Sequence, residues 1–376
     1  MRNLPELRTQ LDKIDAAIVS LYRDRMALCE EVGEWKKERG NAVFDPVREN
    51  EKLDCVEALL PDAFLKKGIR EIYLELMRQS RLRQYQIIGG DVLPDFGFEM
   101  IDDIKRSGVT ACYQGIPGAY SEEALSSFFD NVSVVRAKTF RETCERLKTG
   151  EADYAVLPIE NSTAGTVTQV PDLLSEYSLV IVGEYVLPIR HVLASIESSN
   201  DFNIGTINTV FSHPQALMQC EKYLSAHGWR QISLENTAVA AAKVAADNDN
   251  ALAAICSPFA AKIYGLKVLD ENISDNADNS TRFAIVSRIK EFRSQAHKIS
   301  ISFEVPHESG SLYRLLSHLI YNDLNMTKIE SRPIKGENWQ YSFLVDFEGN
   351  LNDRPVIDAL KGLESESRKF QILGNY

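Results

Sequence analysis

Long apolar runs, paired cysteines and nucleotide-binding glycine patterns are all missing from this sequence of 376 residues. No run of 18 apolar residues occurs, and the first residues lead straight into a charged helical pattern. The sequence therefore predicts neither a membrane-spanning helix nor a secretory leader, and a cytoplasmic protein is expected. Six cysteines (Cys29, Cys55, Cys112, Cys144, Cys220, Cys256) stand singly, with no CxxC pair and no histidine at metal-ligand spacing. They read as reduced structural thiols, and neither a metal nor a cofactor is expected. Neither GxGxxG nor a P-loop is present, which disfavours a dinucleotide reductase and a nucleoside-triphosphate enzyme. Basic residues are in deficit. The net charge of −12 argues against a nucleic-acid surface and leaves anion binding to local clusters. No internal repeat or low-complexity segment occurs.

What is present suits a multidomain globular protein. Hydrophobic residues make up 44% and charged ones 26%, enough apolar material for several cores, and the length suggests two or three domains. Residues 1–87 hold only three glycines and three prolines, carry 16 basic against 16 acidic side chains, and read as three helices. In the first, Leu4, Leu7, Leu11, Ile14, Ile18, Leu21, Leu28, Val32 and Trp35 form a heptad seam whose missing position is Arg25. A guanidinium buried there should have an anionic partner. Lys36, eleven residues on, returns to nearly the same face. In the third helix the face of Leu65, Ile69, Ile72 and Leu76 continues as Ser80 and Gln84. Asp45 caps the second helix ahead of Pro46, with Arg48 and Glu49 in its first turn. Singly, Arg25 would read as a register-fixing polar residue and Asp45 as a mere cap. Four coincident departures from the apolar face (Arg25, Lys36, Ser80, Gln84) point to a site instead. A first helix running from about Pro5 to Arg39 would exceed ~50 Å, too long for a lone small bundle, so an intertwined helical dimer is expected.

This segment resembles the all-helical chorismate mutase family across residues 4–87. The resemblance implies that Arg8 of the partner subunit, Arg25 and Arg48 hold the two carboxylates of chorismate. It further implies that Asp45 and Glu49 orient the hydroxyl end, that Ser80 assists, and that Lys36 and Gln84 donate to the ether oxygen.

Residues 91–107 read as a linker with one short helical turn, punctuated by Gly89, Gly90, Pro94 and Gly97. From residue 108 short β-rich runs (Val109–Tyr113, Tyr154–Pro158, Leu179–Leu187, Val192–Ile196, Thr209–Phe211, Leu252–Cys256, Phe283–Val286) alternate with helical stretches. That alternation predicts a two-lobed α/β module with largely parallel sheets and a cleft. Four runs lie at strand ends: Gly115–Ser121, Pro158–Gly165, Ser212–Gln215 and Asn279–Phe283. Taken singly they are a turn, a helix start and loop residues. Together they resemble prephenate dehydratase over residues 108–288, which implies two lobes of a periplasmic-binding-protein type. The resemblance makes Thr281 the leading catalytic candidate and lines the cleft with Glu160, Asn161, Ser162, Thr163, Ser212, Gln215, Arg282 and Phe283. Arg282 stands as an alternative carboxylate anchor.

Residues 297–376 read strand, helix, strand, strand, helix, strand, the ferredoxin-like α+β order. They resemble an ACT regulatory domain through Gly310, Ser311 and Leu312 and through Glu330, Ser331, Arg332 and Pro333. The glycine opens a helix whose backbone N–H groups suit a carboxylate. The order implied is an all-α mutase domain (1–90), the linker, a dehydratase domain (108–288) and an ACT domain (297–376). Such an enzyme would turn chorismate through prephenate into phenylpyruvate, inhibited by phenylalanine, as a homodimer or higher homo-oligomer without nucleic-acid or membrane partners. A ligand sensor without catalysis, and a working mutase beside a degenerate dehydratase, are the competing readings; a sensor would have no reason to bury Arg25, Lys36 and Gln84.

Overall fold

The computed structural model describes residues 3–89, 96–197, 204–276, 278–334, 336–337 and 340–376. Gly90 and Pro94, read as linker punctuation, lie outside them. The chain divides into two compact units, one of Met1–Phe96 and Ile301–Gln371, the other of Gly97–Ser300 and Ile372–Tyr376.

In the first unit, α1 (Leu4–Arg39) begins at a capping box in which the Asn3 side chain accepts from Glu6 N–H and Glu6 accepts from Asn3 N–H. It ends at Gly40, whose φ of 65° glycine adopts without strain. Asp45 caps α2 (Pro46–Ala58) by accepting from Arg48 N–H at 3.0 Å. The third helix, α3 (Ala63–Gly89), runs alongside α1: Arg25 reaches Leu76 and Ser80, Gly33 faces Gln84, and Lys37 reaches the Ile87 carbonyl. The predicted seam is not buried by these contacts. Leu4, Leu7, Leu11, Ile14, Ile18, Leu21 and Leu28 remain 40–69% exposed, and Leu65 and Ile72 of α3 are exposed with them. Three helices in one chain leave that stripe with no apolar neighbour to cover it.

In the second unit, a first lobe is built by β1 (Glu99–Ile101), β2 (Thr110–Gln114), α4 (Tyr120–Phe128), β3 (Ser133–Ala137), α5 (Phe140–Lys148), β4 (Tyr154–Asn161), β5 (Gly165–Thr166), α6 (Gln169–Tyr177) and β6 (Val180–Pro188). A second lobe comprises β7 (Val192–Ser195), β8 (Thr209–Ser212), α7 (Pro214–Met218), α8 (Glu221–His227), β9 (Arg230–Ser233), α9 (Thr237–Asp247), β10 (Leu252–Cys256), α10 (Pro258–Ile263) and β11 (Lys267–Asp270). The chain then returns to the first lobe as β12 (Ser280–Ser287) and β13 (Glu291–Arg293). Strand order is β6-β12-β4-β2-β3 in the first lobe and β11-β7-β10-β8-β9 in the second.

Both sheets are mixed, where largely parallel ones were expected. β12 runs antiparallel to β4 and β6, and β7 antiparallel to β10 and β11. The cause is the double crossing: a strand entering directly from the other lobe needs no helical crossover and is free to pair antiparallel. The expected linker also differs, since Glu99–Ile101 forms a strand paired in parallel with Glu291–Arg293 rather than a helical turn, and Ile104 is buried in the first-lobe core.

The chain ends with β14 (Lys298–Glu304), α11 (Ser311–Ile320), β15 (Met326–Pro333), β16 (Tyr341–Glu348), α12 (Arg354–Glu366) and β17 (Arg368–Asn375), in sheet order β15-β16-β14-β17. This is the predicted βαββαβ succession. Its helix α12 packs on α3, so Met1–Phe96 and Ile301–Gln371 share one unit: the Tyr85 hydroxyl lies 2.5 Å from Ser365 Oγ, and Arg354 donates to the Gln86 carbonyl at 2.8 Å.

Candidate active sites

The first cluster lies where α1, α2 and α3 converge. Arg25 Nη1 donates to Ser80 Oγ at 2.5 Å and to the Leu76 carbonyl at 3.1 Å. The anionic partner expected for it is not supplied by the described residues; a carbonyl and a hydroxyl satisfy one nitrogen and leave the charge itself uncompensated. Lys36, half-buried, donates to the Val43 carbonyl at 2.6 Å. Burial lowers its pKa, against the opposing pull of Asp45 and Glu49. Gln84 is buried, and its Oε1 has no hydrogen-bond partner among the described residues. The side chain fits because residue 33 is glycine, where a Cβ would come within 3.2 Å of Gln84 Cγ.

Arg25, Lys36, Glu49, Ser80 and Gln84 are thus drawn together, with Asp45 close enough to act on Lys36 though exposed and occupied in capping α2, while two other candidates are not. Arg48 is exposed and paired with Glu51 at 3.3 Å. Arg8 is exposed on α1, seventeen residues and therefore about 26 Å along the axis from Arg25. Sequence reasoning missed Arg81, the buried neighbour of Ser80, whose Nη1 donates to both oxygens of Glu49 at 2.6 and 2.5 Å. A basic residue beside two polar interruptions of an apolar face was the available signal.

The second site is a cleft of about 330 Å³ between the lobes of the second unit. Thr281, 8% exposed, faces it from β12, directly opposite Asn161 on β4. Asn161 Oδ1 accepts from the backbone N–H of Thr163 and Ala164 and from the Thr163 hydroxyl, which fixes the amide's orientation. Its Nδ2 accordingly donates toward Thr281 Oγ1 at 2.9 Å and Asn279 Oδ1 at 2.9 Å. With its oxygen accepting, the Thr281 hydroxyl can point its own hydrogen into the cleft. Gln215 and Phe283 line the cleft as expected.

Five residues expected to line the cleft do not. Glu160 and Arg282 project to the opposite face by strand alternation and bond each other at 2.5 Å, with Glu184 3.5 Å from Arg282. Arg282 is therefore not a carboxylate anchor in the cleft. Ser212 is fully buried, donating to the Ile255 carbonyl at 2.6 Å. Ser162 braces the start of β12, accepting from Ser280 N–H at 3.0 Å. Thr163 sits behind Asn161 and accepts from Gln219 Nε2 at 2.9 Å.

Residues that the sequence did not single out complete the cleft. His191, on the first crossing between lobes, lies 2.9 Å from Gln219 Oε1 through Nε2 and 3.0 Å from the Tyr120 hydroxyl through Nδ1. A histidine breaking the apolar run between β6 and β7 was its only signal. Burial lowers its pKa, outweighing the opposing bond to Gln219. Among the described residues, no lysine or arginine lines the cleft. The lining includes instead the starts of α4 and α9, through Tyr120, Ser121, Asn236 and Thr237, beside the carboxylate of Glu235; Ala119 leaves the first N–H groups of α4 without a side-chain cap, whereas Asn236 caps α9 by accepting from Val239 N–H at 2.8 Å.

A third hollow of about 230 Å³, at the start of α11, is lined by Gly310, Ser311 and Leu312 with Val305, Tyr341 and Phe343. Glu330, Ser331, Arg332 and Pro333 do not line it, lying on the edge strand β15, where Ser331 pairs with Phe343 and Pro333 with Tyr341.

The family model described as chorismate mutase type II matches residues 7–85, and that described as prephenate dehydratase matches residues 111–291. A bifunctional chorismate mutase/prephenate dehydratase of Aquifex aeolicus is 32% identical over 390 residues, covering 100% of this chain and 98% of that protein. Among solved structures, a prephenate dehydratase from Arthrobacter aurescens in complex with L-Phe superposes with a TM-score of 0.65 at 32% identity, over 71% of this chain and 90% of that one. A protein described as a quorum quenching acylase, GqqA, superposes equally well, with a TM-score of 0.65 at 31% identity over 70% and 96%.

Because His191 is held neutral by burial, its folded pKa lies below its unfolded value near 6.5. The stability it contributes is present above that value and is lost as pH falls toward the folded pKa. Urea unfolding of wild type and His191→Gln should show the gap between them narrowing below about pH 6.5, by at most ~1.4 kcal/mol per pH unit. Parallel curves would remove His191 from the buried neutral role.

Proposed function

The chain belongs to the bifunctional chorismate mutase/prephenate dehydratase family, and on that premise we propose that it rearranges chorismate to prephenate and then dehydrates and decarboxylates prephenate to phenylpyruvate, in the cytoplasm and under feedback by phenylalanine. The observation that carries this reading is a relative of both activities aligned over the whole chain.

The first reaction is pericyclic and needs neither nucleophile nor proton shuttle, so holding the reactive conformer and stabilising charge on the breaking C–O bond must do the work. Arg25, already oriented by Ser80 and Leu76, grips one carboxylate. Lys36 and Gln84 donate to the ether oxygen, and the lowered pKa of Lys36 fits a cation partly withdrawn from water. Glu49 receives the hydroxyl end. Asp45 and Arg48 join by reorienting from the cap and from Glu51. Arg8 cannot reach Arg25 within one chain, so it comes from a second copy, and the exposed stripe of α1 is the surface that the copy covers.

In the second reaction aromatisation drives loss of carboxylate and hydroxide, and the enzyme must mainly help hydroxide leave as water. Thr281, its oxygen held by Asn161, donates a hydrogen bond to the departing hydroxyl, whose leaving as water is completed by a proton from solvent. Gln215 and the starts of α4 and α9 hold the carboxylates. The C-terminal βαββαβ part acts as an ACT module in which phenylalanine places its carboxylate against the start of α11, with Glu330, Ser331, Arg332 and Pro333 of the edge strand closing the site from a second copy.

Fed chorismate, the purified protein should yield phenylpyruvate by absorbance. Lys36→Ala should lose mutase turnover by about a hundredfold or more while still converting prephenate. Thr281→Ala should let prephenate accumulate. Loss of both activities in either variant would refute the division of labour. The double change Ile14→Glu and Ile18→Glu should abolish mutase activity while turnover of supplied prephenate persists, and should weaken self-association by sedimentation equilibrium to what the C-terminal contact sustains; unaltered mutase activity would exclude the α1 stripe as the mutase interface. Calorimetry should find phenylalanine affinity lost in Gly310→Val, where the φ of 78° strains any branched residue and the new side chain crowds the hollow. Unaltered affinity would exclude that hollow.

A further inference from the structure

Arg81 belongs to neither set of residues discussed for chorismate, yet its surroundings are built. Its side chain is 5% exposed and sits between two carboxylates: Nη1 on Glu49 of α2, and Nε on Glu366 of α12 at 2.9 Å. Glu366 is itself 4% exposed, and its Oε1 lies 3.2 Å from His318 Nε2 of α11. His318 has no exposed surface, and its ring presses on Gly362, where no side chain would fit. Burial tends to raise the pKa of Glu366, but His318 and the charge of Arg81 overcome it, and the net shift is downward. Two carboxylates therefore share one buried guanidinium, Glu366 enclosed and Glu49 partly open, an arrangement in which each partner fixes the orientation of the others.

We propose that Arg81 is a positioning residue of the mutase site, aiming the Glu49 carboxylate at the substrate, and that Glu366 of the C-terminal part anchors it from behind. This rests on the assignment of Glu49 to chorismate made above. A carboxylate on a flexible three-torsion stem must be held to accept a hydrogen bond from one substrate hydroxyl, and both of its oxygens are fixed here by a single nitrogen. That nitrogen is fixed in turn only if the guanidinium plane is pinned at its other edge. The pin comes from a helix packed against α11, the helix that opens at the Gly310 hollow. Mutase turnover thereby depends on residues more than 280 positions away in sequence. α12 stays docked on α3 without this ion pair, through Tyr85 with Ser365 and Arg354 with Gln86, so the bridge can be changed without undocking the helix.

The test is a double-mutant cycle in the full-length protein, with chorismate and prephenate supplied separately. Glu366→Gln should lower mutase kcat by about tenfold or more with KM within about twofold, and leave dehydratase turnover of supplied prephenate unchanged. Arg81→Met should do the same, Arg81→Lys should recover part of the loss, and the pair Arg81→Met with Glu366→Gln should be no worse than Arg81→Met alone. Unchanged mutase kcat in Glu366→Gln would overturn the inference. So would losses that multiply in the double variant, or equal losses in both activities. A wild-type protein that converts prephenate but not chorismate would instead remove the mutase assignment on which the inference stands.

Discussion

Insertion of a late strand into the middle of an earlier sheet is the constraint on which the cleft depends. β12 leaves the second lobe and enters between β6 and β4, so residues 161 and 281, far apart in sequence, become direct cross-strand neighbours. Asn161 and Thr281 meet only because of that register, and a slip of one residue would turn Thr281 to the opposite face and bring Arg282 into the cleft. The same return creates two crossings between the lobes, and both contribute to the site: Ile189 and His191 on one, Asn279 on the other. Any change in the angle between lobes must pass through these residues, so cleft lining and hinge are the same few positions.

The helical site is built on the opposite principle. No β register is available, so polar groups are placed by interrupting an apolar face at helical spacing, and the cost of burying them is met by pairing. Arg25 uses a hydroxyl and a carbonyl, and Arg81 two carboxylates, while Lys36 takes a carbonyl at 2.6 Å. These partners differ in what they leave over. A guanidinium bonded to neutral acceptors keeps its full charge for an incoming anion, whereas one between two carboxylates has none to spare. That difference separates Arg25, suited to grip a substrate carboxylate, from Arg81, suited to hold protein groups in place.

Much of this was legible in the sequence, and the omissions share a cause. Helix limits rest on local chemistry: Asp45 with Pro46 marked the start of α2 in the sequence, and the equally local pairing of Asn3 with Glu6 and the left-handed end at Gly40 emerge with the structure. The strands that escaped notice are the two- and three-residue ones, Glu99–Ile101, Gly165–Thr166 and Glu291–Arg293, too short to show a period, and the sheet edges Ser133–Ala137, Arg230–Ser233 and Lys267–Asp270, the last two with mostly polar exposed residues that dilute the apolar signal. Among site residues, Thr281, Asn161, Gln215 and Phe283 were found because they fall in short distinctive runs. Glu160, Arg282 and Ser212 fall in the same runs but point elsewhere, and a run of letters carries no information about which face a strand residue takes once a bulge intervenes between Arg282 and Phe283. His191 and Gln219 are joined only by tertiary structure. For Arg81 the local signal beside Ser80 was available, but its role was not, because its second partner, Glu366, lies at the far end of the chain.

The two sites also hold anions in different ways, and the difference follows from their surroundings. The helical segment is electrically balanced, so arginines there can meet a dicarboxylate without working against a large local field. The rest of the chain carries the whole surplus of acid, 26 basic against 38 acidic residues. A lysine or arginine in the cleft would attract the protein's own carboxylates, as Arg282 does with Glu160 and Glu184, and would then be unavailable to a ligand. Helix starts reduce that competition. Their N–H groups are fixed by the backbone and carry only partial charge, although a carboxylate can still come to them, as Glu122 does to Gly118 N–H at 2.6 Å just ahead of α4. In an acidic protein, therefore, backbone N–H groups at the start of α4 stay in place where a mobile cation would pair internally, which suits a cleft whose described lining holds no lysine or arginine.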